Sequence, residues 1–269
     1  MTFALFSPNL SCMASAANLR LQIETALAKR VPAALSLKIK QAPELFSTGI
    51  EEVDAVLGGG IPRGSITEVA GAACTGKTSF ALSSIAAITQ TGAACAWVDV
   101  SDALSPESAA AAHIDMKRLL WLRMSADRKK PAADKPWSRL EQALTATDLL
   151  LQAGGFAAIV LDMSDVRPQD ATRIPLQHWY RFRLAAEQAR TALVLLTQTP
   201  CANSCAALAL RSEPASVQPF SSNGETALFE GQGYTLIRER NRNEGSAFLP
   251  KRPCTRAEWT AETPWSRVR

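Results

Sequence analysis

The chain has 269 residues, a mass of 28.9 kDa, a formal net charge of +4 and 47% hydrophobic residues. That length suffices for one α/β domain with short additions and a large core, so no zinc, disulfide or oligomer is required for folding. No stretch is long and apolar enough for a membrane span, the first twelve residues lack the features of a signal peptide, and six cysteines without a C-x-x-C pair point to a reducing, cytoplasmic compartment.

Leu19, Ile23, Ala26 and Leu27 recur at helical spacing between Asn18, a good N-cap, and Pro32, a stop. They predict a short amphipathic helix, which either packs on its own core or docks on a neighbouring protomer or a partner. Met13, just ahead of it, is a second candidate start. The chain divides into an N-terminal segment (1–45), a core (46–249) and a basic, flexible tail (250–269).

After the glycine turn at Gly58, Gly59 and Gly60, an apolar run (Ile66, Val69, Ala70) ends at Gly71. The residues Gly71, Ala72, Ala73, Cys74, Thr75, Gly76, Lys77 and Thr78 then have the spacing of a phosphate-binding loop. Successive backbone N–H groups curl around a polyphosphate, and glycine permits backbone angles that a Cβ forbids. The following helix N-terminus adds partial positive charge, Lys77 reaches the β/γ-phosphates, and Thr78 is placed to ligate magnesium. The cofactors expected here are a nucleoside polyphosphate and Mg2+.

Phe80, Leu82, Ile85 and Ile88 form the core face of that helix, and Ala94 to Val100 is a strand with Asp99 near its C-terminal end. Another helix starts at Ser105-Pro106, and Leu119 to Met124 is a third strand. A basic, proline-bearing surface loop follows from Ser125 to Trp137, then a helix carrying Leu140, Leu144 and Leu151. Phe156 to Asp162 is a buried strand ending in an acid, which suits Asp162 to the Walker B role of holding the magnesium water shell.

Residues 176–190 form an arginine-bearing helix, and Thr191 to Gln198 another central strand. His178 reads as surface or packing, and Cys201 with Cys205 lacks the further ligands of a metal site. Beyond residue 200, Ala206 to Leu210, Thr226 to Phe229, Tyr234 to Arg238 and Ala247 to Leu249 suggest short antiparallel strands. Basic residues gather at Lys117 to Arg139 and at Arg238 to Arg269, fitting either a solvated surface or a nucleic-acid or acidic-partner surface. The fold class is α/β, a mostly parallel sheet flanked by helices with antiparallel strands at the C-terminal edge.

The run from Ser47 to Gly71, followed at once by the phosphate loop, resembles the approach to the core of the RecA/RadA superfamily of ATP-binding DNA-repair proteins. The resemblance implies that the nucleotide is ATP, that Gln198 is a γ-phosphate sensor, and that Arg240-Asn241-Arg242 is a basic element reaching a neighbour's ATP site in trans. It also exposes departures. Ser101 stands where RecA proteins carry the water-activating glutamate, Ser108 replaces a tyrosine that stacks on adenine, and the loops after Asp162 and Gln198 are short. Asp102 is one residue on and should point to the other side of an extended segment.

Thr48-Gly49, Val53-Asp54, Leu57 to Gly60, Pro62-Arg63-Gly64, Arg181 to Glu187 and Asn241 to Gly245 are similar to ImuA proteins, RecA-like accessory factors of damage-induced mutagenesis. That likeness implies a role in the SOS response and translesion synthesis beside a translesion polymerase or polymerase-like protein, with RecA and single-stranded DNA as further partners. The departures at Ser101 and Ser108 imply weak or absent ATP hydrolysis, and self-association is a further expectation. The alternative is a divergent DNA-dependent ATPase or recombinase that binds single-stranded DNA and forms filaments; a third reading is a structural partner with a vestigial loop.

Overall fold

The computed structural model describes residues 18–19, 21–22, 43–124, 136–215, 231–242 and 255–262. Met1–Ala42 and Pro43–Arg269 are separate compact units. In the first, residues 18–19 and 21–22 are helical, with Leu19 and Leu21 exposed.

The second unit opens with β1 (Leu45–Phe46), helix α1 (Glu51–Leu57) and β2 (Ile61–Pro62), and β1 and β2 pair antiparallel. Asp54 organises this corner: its carboxylate accepts from the Thr48 amide at 2.9 Å, the Thr48 hydroxyl at 2.7 Å and the Ser47 hydroxyl at 2.6 Å. Gly58 ends α1 in the left-handed conformation. Gly60 has φ of 130°, and a Cβ there would lie 1.9 Å from the Phe46 carbonyl oxygen, so only glycine closes the turn.

The chain continues through β3 (Ile66–Ala70), α2 (Lys77–Gln90), β4 (Cys95–Asp99), α3 (Pro106–Ala111) and β5 (Leu119–Arg123). Next come α4 (Pro136–Ala153), β6 (Ala158–Asp162), α5 (Pro168–Ala171), α6 (Leu176–Ala189) and β7 (Ala192–Thr197), then β8 (Ala206–Pro214), β9 (Gly231–Asn241) and β10 (Arg256–Glu262). One eight-stranded sheet has the order β10-β9-β8-β3-β7-β6-β4-β5. Its strands are parallel from β8 to β5, whereas β9 and β10 run antiparallel at the other edge.

Strands β3, β4, β6 and β7 are buried along their whole length, as expected where helices cover both faces of a parallel sheet. On one face Val53, Phe80, Ile85, Trp97, Tyr234 and Trp259 form a core; on the other Val98, Leu140, Leu161, Trp179 and Phe182 do. Alternate residues of β4 serve opposite faces, Trp97 one and Val98 the other.

Two expectations change. The β8 strand, expected to be antiparallel, pairs parallel with β3, because residues 198–205 run from the C-terminal end of β7 back along the sheet past Glu68 to the level of Ile66, so that β8 starts in the direction of β7. The stretch expected to be part of a flexible tail supplies β10: Ala257 and Trp259 are buried while Arg256 and Glu258 stay exposed, so period-two alternation gives the segment a core face. The strands expected at Thr226 to Phe229 and Ala247 to Leu249 lie outside the described residues, as does the expected basic loop through residue 135. Among the described residues no helix is long and apolar enough to cross a membrane.

Candidate nucleotide-binding site

Gly71 leaves β3 at the C-terminal end of the parallel strands, and its amide donates to the Thr197 carbonyl of β7 at 3.1 Å. Gly76 has φ of 87° and stands at the N-cap of α2, where Lys77 begins the helix. The loop between them carries its own bonds: the Thr75 hydroxyl donates to the Ala72 carbonyl at 2.9 Å. The Lys77 ammonium, almost fully buried, donates to the carbonyls of Gly71 at 2.5 Å and Ala72 at 2.6 Å. Burial lowers the Lys77 pKa, against the opposing pull of Asp162, Asp165 and Cys74. Ala72, Ala73, Cys74 and Thr78 are exposed.

Register brings the acids to one level. Ala70 pairs with Thr197, Leu196 with Asp162, and Asp162 with Asp99, so the ends of β3, β7, β6 and β4 line one rim. Asp162 is 6% exposed, and burial raises its carboxyl above the usual range even though Ser164 donates its amide at 3.0 Å. The Gln198 amide nitrogen donates to the Ser164 carbonyl at 2.9 Å, joining the end of β7 to the loop after Asp162.

Asp99 is consumed by structure. It accepts from the amides of Ala103 at 3.1 Å and Leu104 at 2.9 Å and from the Trp121 indole at 3.3 Å. That turn carries Ser101, half-buried, and Asp102 in the left-handed region. Arg123 grips Asp102 with two bonds, at 2.5 and 2.7 Å, and the hydrogen-bonded guanidinium holds the Asp102 carboxyl below the usual carboxylate range.

Arg240 and Arg242 lie elsewhere. The Arg240 guanidinium donates to the carbonyls of Asn203 and Ala206, and that of Arg242 to Ser204 at 2.5 Å. Ala206 pairs with Ile66, the first residue of β3, whereas the phosphate loop follows its last; at about 3.3 Å per residue these levels are about 13 Å apart. The two arginines therefore sit at the far end of the sheet from their own phosphate loop.

The residues fit a magnesium nucleotide. A Cβ on Gly71 would meet the Ser212 carbonyl at 2.4 Å, and one on Gly76 the Tyr234 ring at 2.5 Å, so the loop keeps its curl only with glycine at both positions. A buried ammonium with loop carbonyls as its hydrogen-bond acceptors, a buried carboxylate and an exposed threonine hydroxyl are the donor set for phosphate and magnesium. Sequence reasoning passed over Glu68, Ser212 and Tyr234. Glu68, 1% exposed inside β3, accepts from the amides of Cys201 at 2.6 Å and Ala202 at 3.0 Å and so anchors the loop after Gln198. A single acid inside an apolar strand was its signal; Ser212 and Tyr234 had none. Burial, then Glu68, pushes the Cys201 thiol up, and burial pushes that of Cys95 up to about 12, so both are inert.

The RecA N-terminal domain family matches residues 16–171. RecA of Acinetobacter baumannii is 34% identical over 142 residues, covering 52% of this chain and 37% of that protein. RecA of Deinococcus radiodurans is 35% identical over 142 residues, covering 52% and 36%, and RecA of Arthrospira platensis 40% over 99 residues, covering 37% and 27%. The matched segment thus spans little more than a third of the length of these curated relatives at most. Among solved structures, the RadB recombinase superposes with a TM-score of 0.54 at 16% identity, covering 80% of this chain and 94% of the other, a likeness of fold.

Proposed function

This chain belongs to the RecA N-terminal domain family, and on that premise we propose that it is a bacterial, cytoplasmic ATP-binding protein of the DNA damage response. It acts in the SOS response as an accessory factor of translesion synthesis, with weak or absent ATP hydrolysis. One observation carries the reading: an intact phosphate loop stands beside a β4 end where Ser101 holds the position expected of the water-activating glutamate and the neighbouring Asp99 and Asp102 are already engaged.

The loop amides and Lys77 bind the phosphates, and Thr78 and Asp162 hold magnesium. The bound ion supplies charge neutralisation on the phosphate oxygens. A base must then take the proton of the attacking water, and the residues at the end of β4, where the RecA resemblance expects it, are poor ones. The Ser101 hydroxyl needs an activator of its own, Asp102 is held as a carboxylate by Arg123, and Asp99 already accepts three hydrogen bonds. ATP accordingly acts as a conformational ligand. Gln198 and its bond to Ser164 link the γ-phosphate position to the loop after Asp162. A translesion polymerase or polymerase-like protein, RecA and single-stranded DNA are the partners, met through the N-terminal helix and the basic C-terminal residues.

The test is ATP binding and turnover by purified protein, wild type beside Lys77→Ala and Ser101→Glu, with and without single-stranded DNA. Binding without turnover, lost in Lys77→Ala and accompanied by some hydrolysis in Ser101→Glu, is expected. Rapid DNA-stimulated turnover by wild type refutes the reading.

A second reading, a DNA-dependent ATPase or recombinase that self-associates into filaments, draws on the placement of Arg240 and Arg242. From the far end of the sheet they could serve only a neighbour's nucleotide. Joint-molecule formation on single-stranded DNA would establish it. With only residues 198–205 between β7 and β8 to grip a strand, none is expected.

A further inference from the structure

The phosphate loop is backed from below by two side chains of the C-terminal strands. Ser212 of β8, 3% exposed, donates its hydroxyl to the Thr75 carbonyl at 2.5 Å. Tyr234 of β9 lays its ring where a Gly76 Cβ would be, with the ring carbons 2.5 to 2.7 Å from that position. Behind the tyrosine stands Trp259 of β10, its ring centroid 5.1 Å away at a 43° tilt. The Tyr234 hydroxyl is held by Gln232 at 3.3 Å and by Ser79 in the first turn of α2.

The contacts fall on the peptide that matters most for an anion. Thr75 C=O and Gly76 N–H belong to one peptide unit, and every described peptide bond is trans, so the two groups point in opposite directions. A carbonyl drawn toward β8 by Ser212 leaves the Gly76 N–H facing away from β8. There it can join the loop's other amides around an anion. The Tyr234 ring then blocks the rotation that would undo this, because Gly76 lies directly against it.

We propose that Ser212 and Tyr234, braced by Trp259, are positioning residues that preorganise the phosphate loop, so that the antiparallel strands β9 and β10 are part of the nucleotide-binding apparatus. Neither side chain touches the nucleotide. They act by holding the Thr75–Gly76 peptide in the binding orientation before ligand arrives, which removes an ordering cost from binding. The proposal rests on the nucleotide reading above for its purpose, and on loop order alone for its test.

The experiment compares wild type, Ser212→Ala, Tyr234→Ala and Tyr234→Phe by two readouts: amide hydrogen exchange of the nucleotide-free protein over residues 71–78, and affinity for ATP-Mg. Ser212→Ala and Tyr234→Ala are expected to speed exchange in 71–78 about tenfold, with exchange in β7 unchanged, and to weaken ATP about tenfold, the effect of losing one buried hydrogen bond or packing contact. Tyr234→Phe, which keeps the ring, restores both values to within about twofold of wild type. Unchanged exchange across 71–78 in Ser212→Ala overturns the proposal, and that variant decides it should Tyr234→Ala fail to fold. Wild-type protein that binds no ATP-Mg sinks the nucleotide reading instead, and the exchange comparison still decides whether the clamp exists.

Discussion

Replacing Glu68 by alanine tests whether the sheet interior anchors the loop after Gln198. The carboxylate is 1% exposed and accepts from two backbone amides, Cys201 at 2.6 Å and Ala202 at 3.0 Å. Alanine leaves both donors buried without these acceptors, at about 1–3 kcal/mol each, so the variant should lose about 2–6 kcal/mol. For a chain of this size that lowers the unfolding midpoint on the order of 10 °C. Glu68→Gln keeps the shape and an acceptor oxygen and should lose no more than about 2 kcal/mol, the difference between a charged and a neutral acceptor. Urea unfolding of the three proteins supplies the free energies, and hydrogen exchange at Cys201 and Ala202 shows where the loss falls. The reasoning fails if Glu68→Ala stays within about 1 kcal/mol of wild type, or if Glu68→Gln is as damaging as alanine.

Asp162→Asn should stabilise the nucleotide-free protein in urea while abolishing magnesium-dependent ATP binding, because burial makes the charged form unfavourable. The sign follows from linkage. The folded carboxyl holds its proton more tightly than the unfolded one, so this group's contribution to wild-type stability grows as pH falls through the raised folded value toward about 4. As pH is lowered toward about 4, the urea midpoint of the asparagine variant should therefore rise less, or fall more, than that of wild type. Trp259→Ala should lower stability by about 3–5 kcal/mol, as for other buried aromatics, whereas a residue in a free tail would be neutral; calorimetry distinguishes the two. Gly60→Ala, which would drive a Cβ to 1.9 Å from the Phe46 carbonyl at a φ of 130°, should cost about 2 kcal/mol or more, read as a loss of thermal midpoint.

Much of the site was legible because its parts are local. Eight consecutive residues from Gly71 to Thr78 contain the loop, the glycine conformations and the start of the helix that completes it, so their spacing alone specifies the device. The buried runs ending at Asp99 and Asp162 were equally plain, since a strand covered on both faces is apolar throughout and an acid at its end stands out. The alternation in Arg256 to Glu262 was also present in the sequence, but neighbouring prolines and arginines made it read as a tail.

By itself, then, the sequence determined the glycine-bounded turn from β3 into α2, the strand-ending acids and the mostly parallel α/β plan, since each is encoded by residues close together along the chain. Only the tertiary structure decided what those residues face. It set β8 parallel beside β3, gave Asp99 to a turn and Asp102 to Arg123, and put Arg240 and Arg242 at the end of the sheet remote from their own loop. It also brought Ser212, Tyr234 and Trp259 beneath a loop more than a hundred residues away, and aimed Glu68 at a turn 133 residues distant. Such pairings depend on strand order and register across a whole sheet, and no local pattern of side chains carries that information.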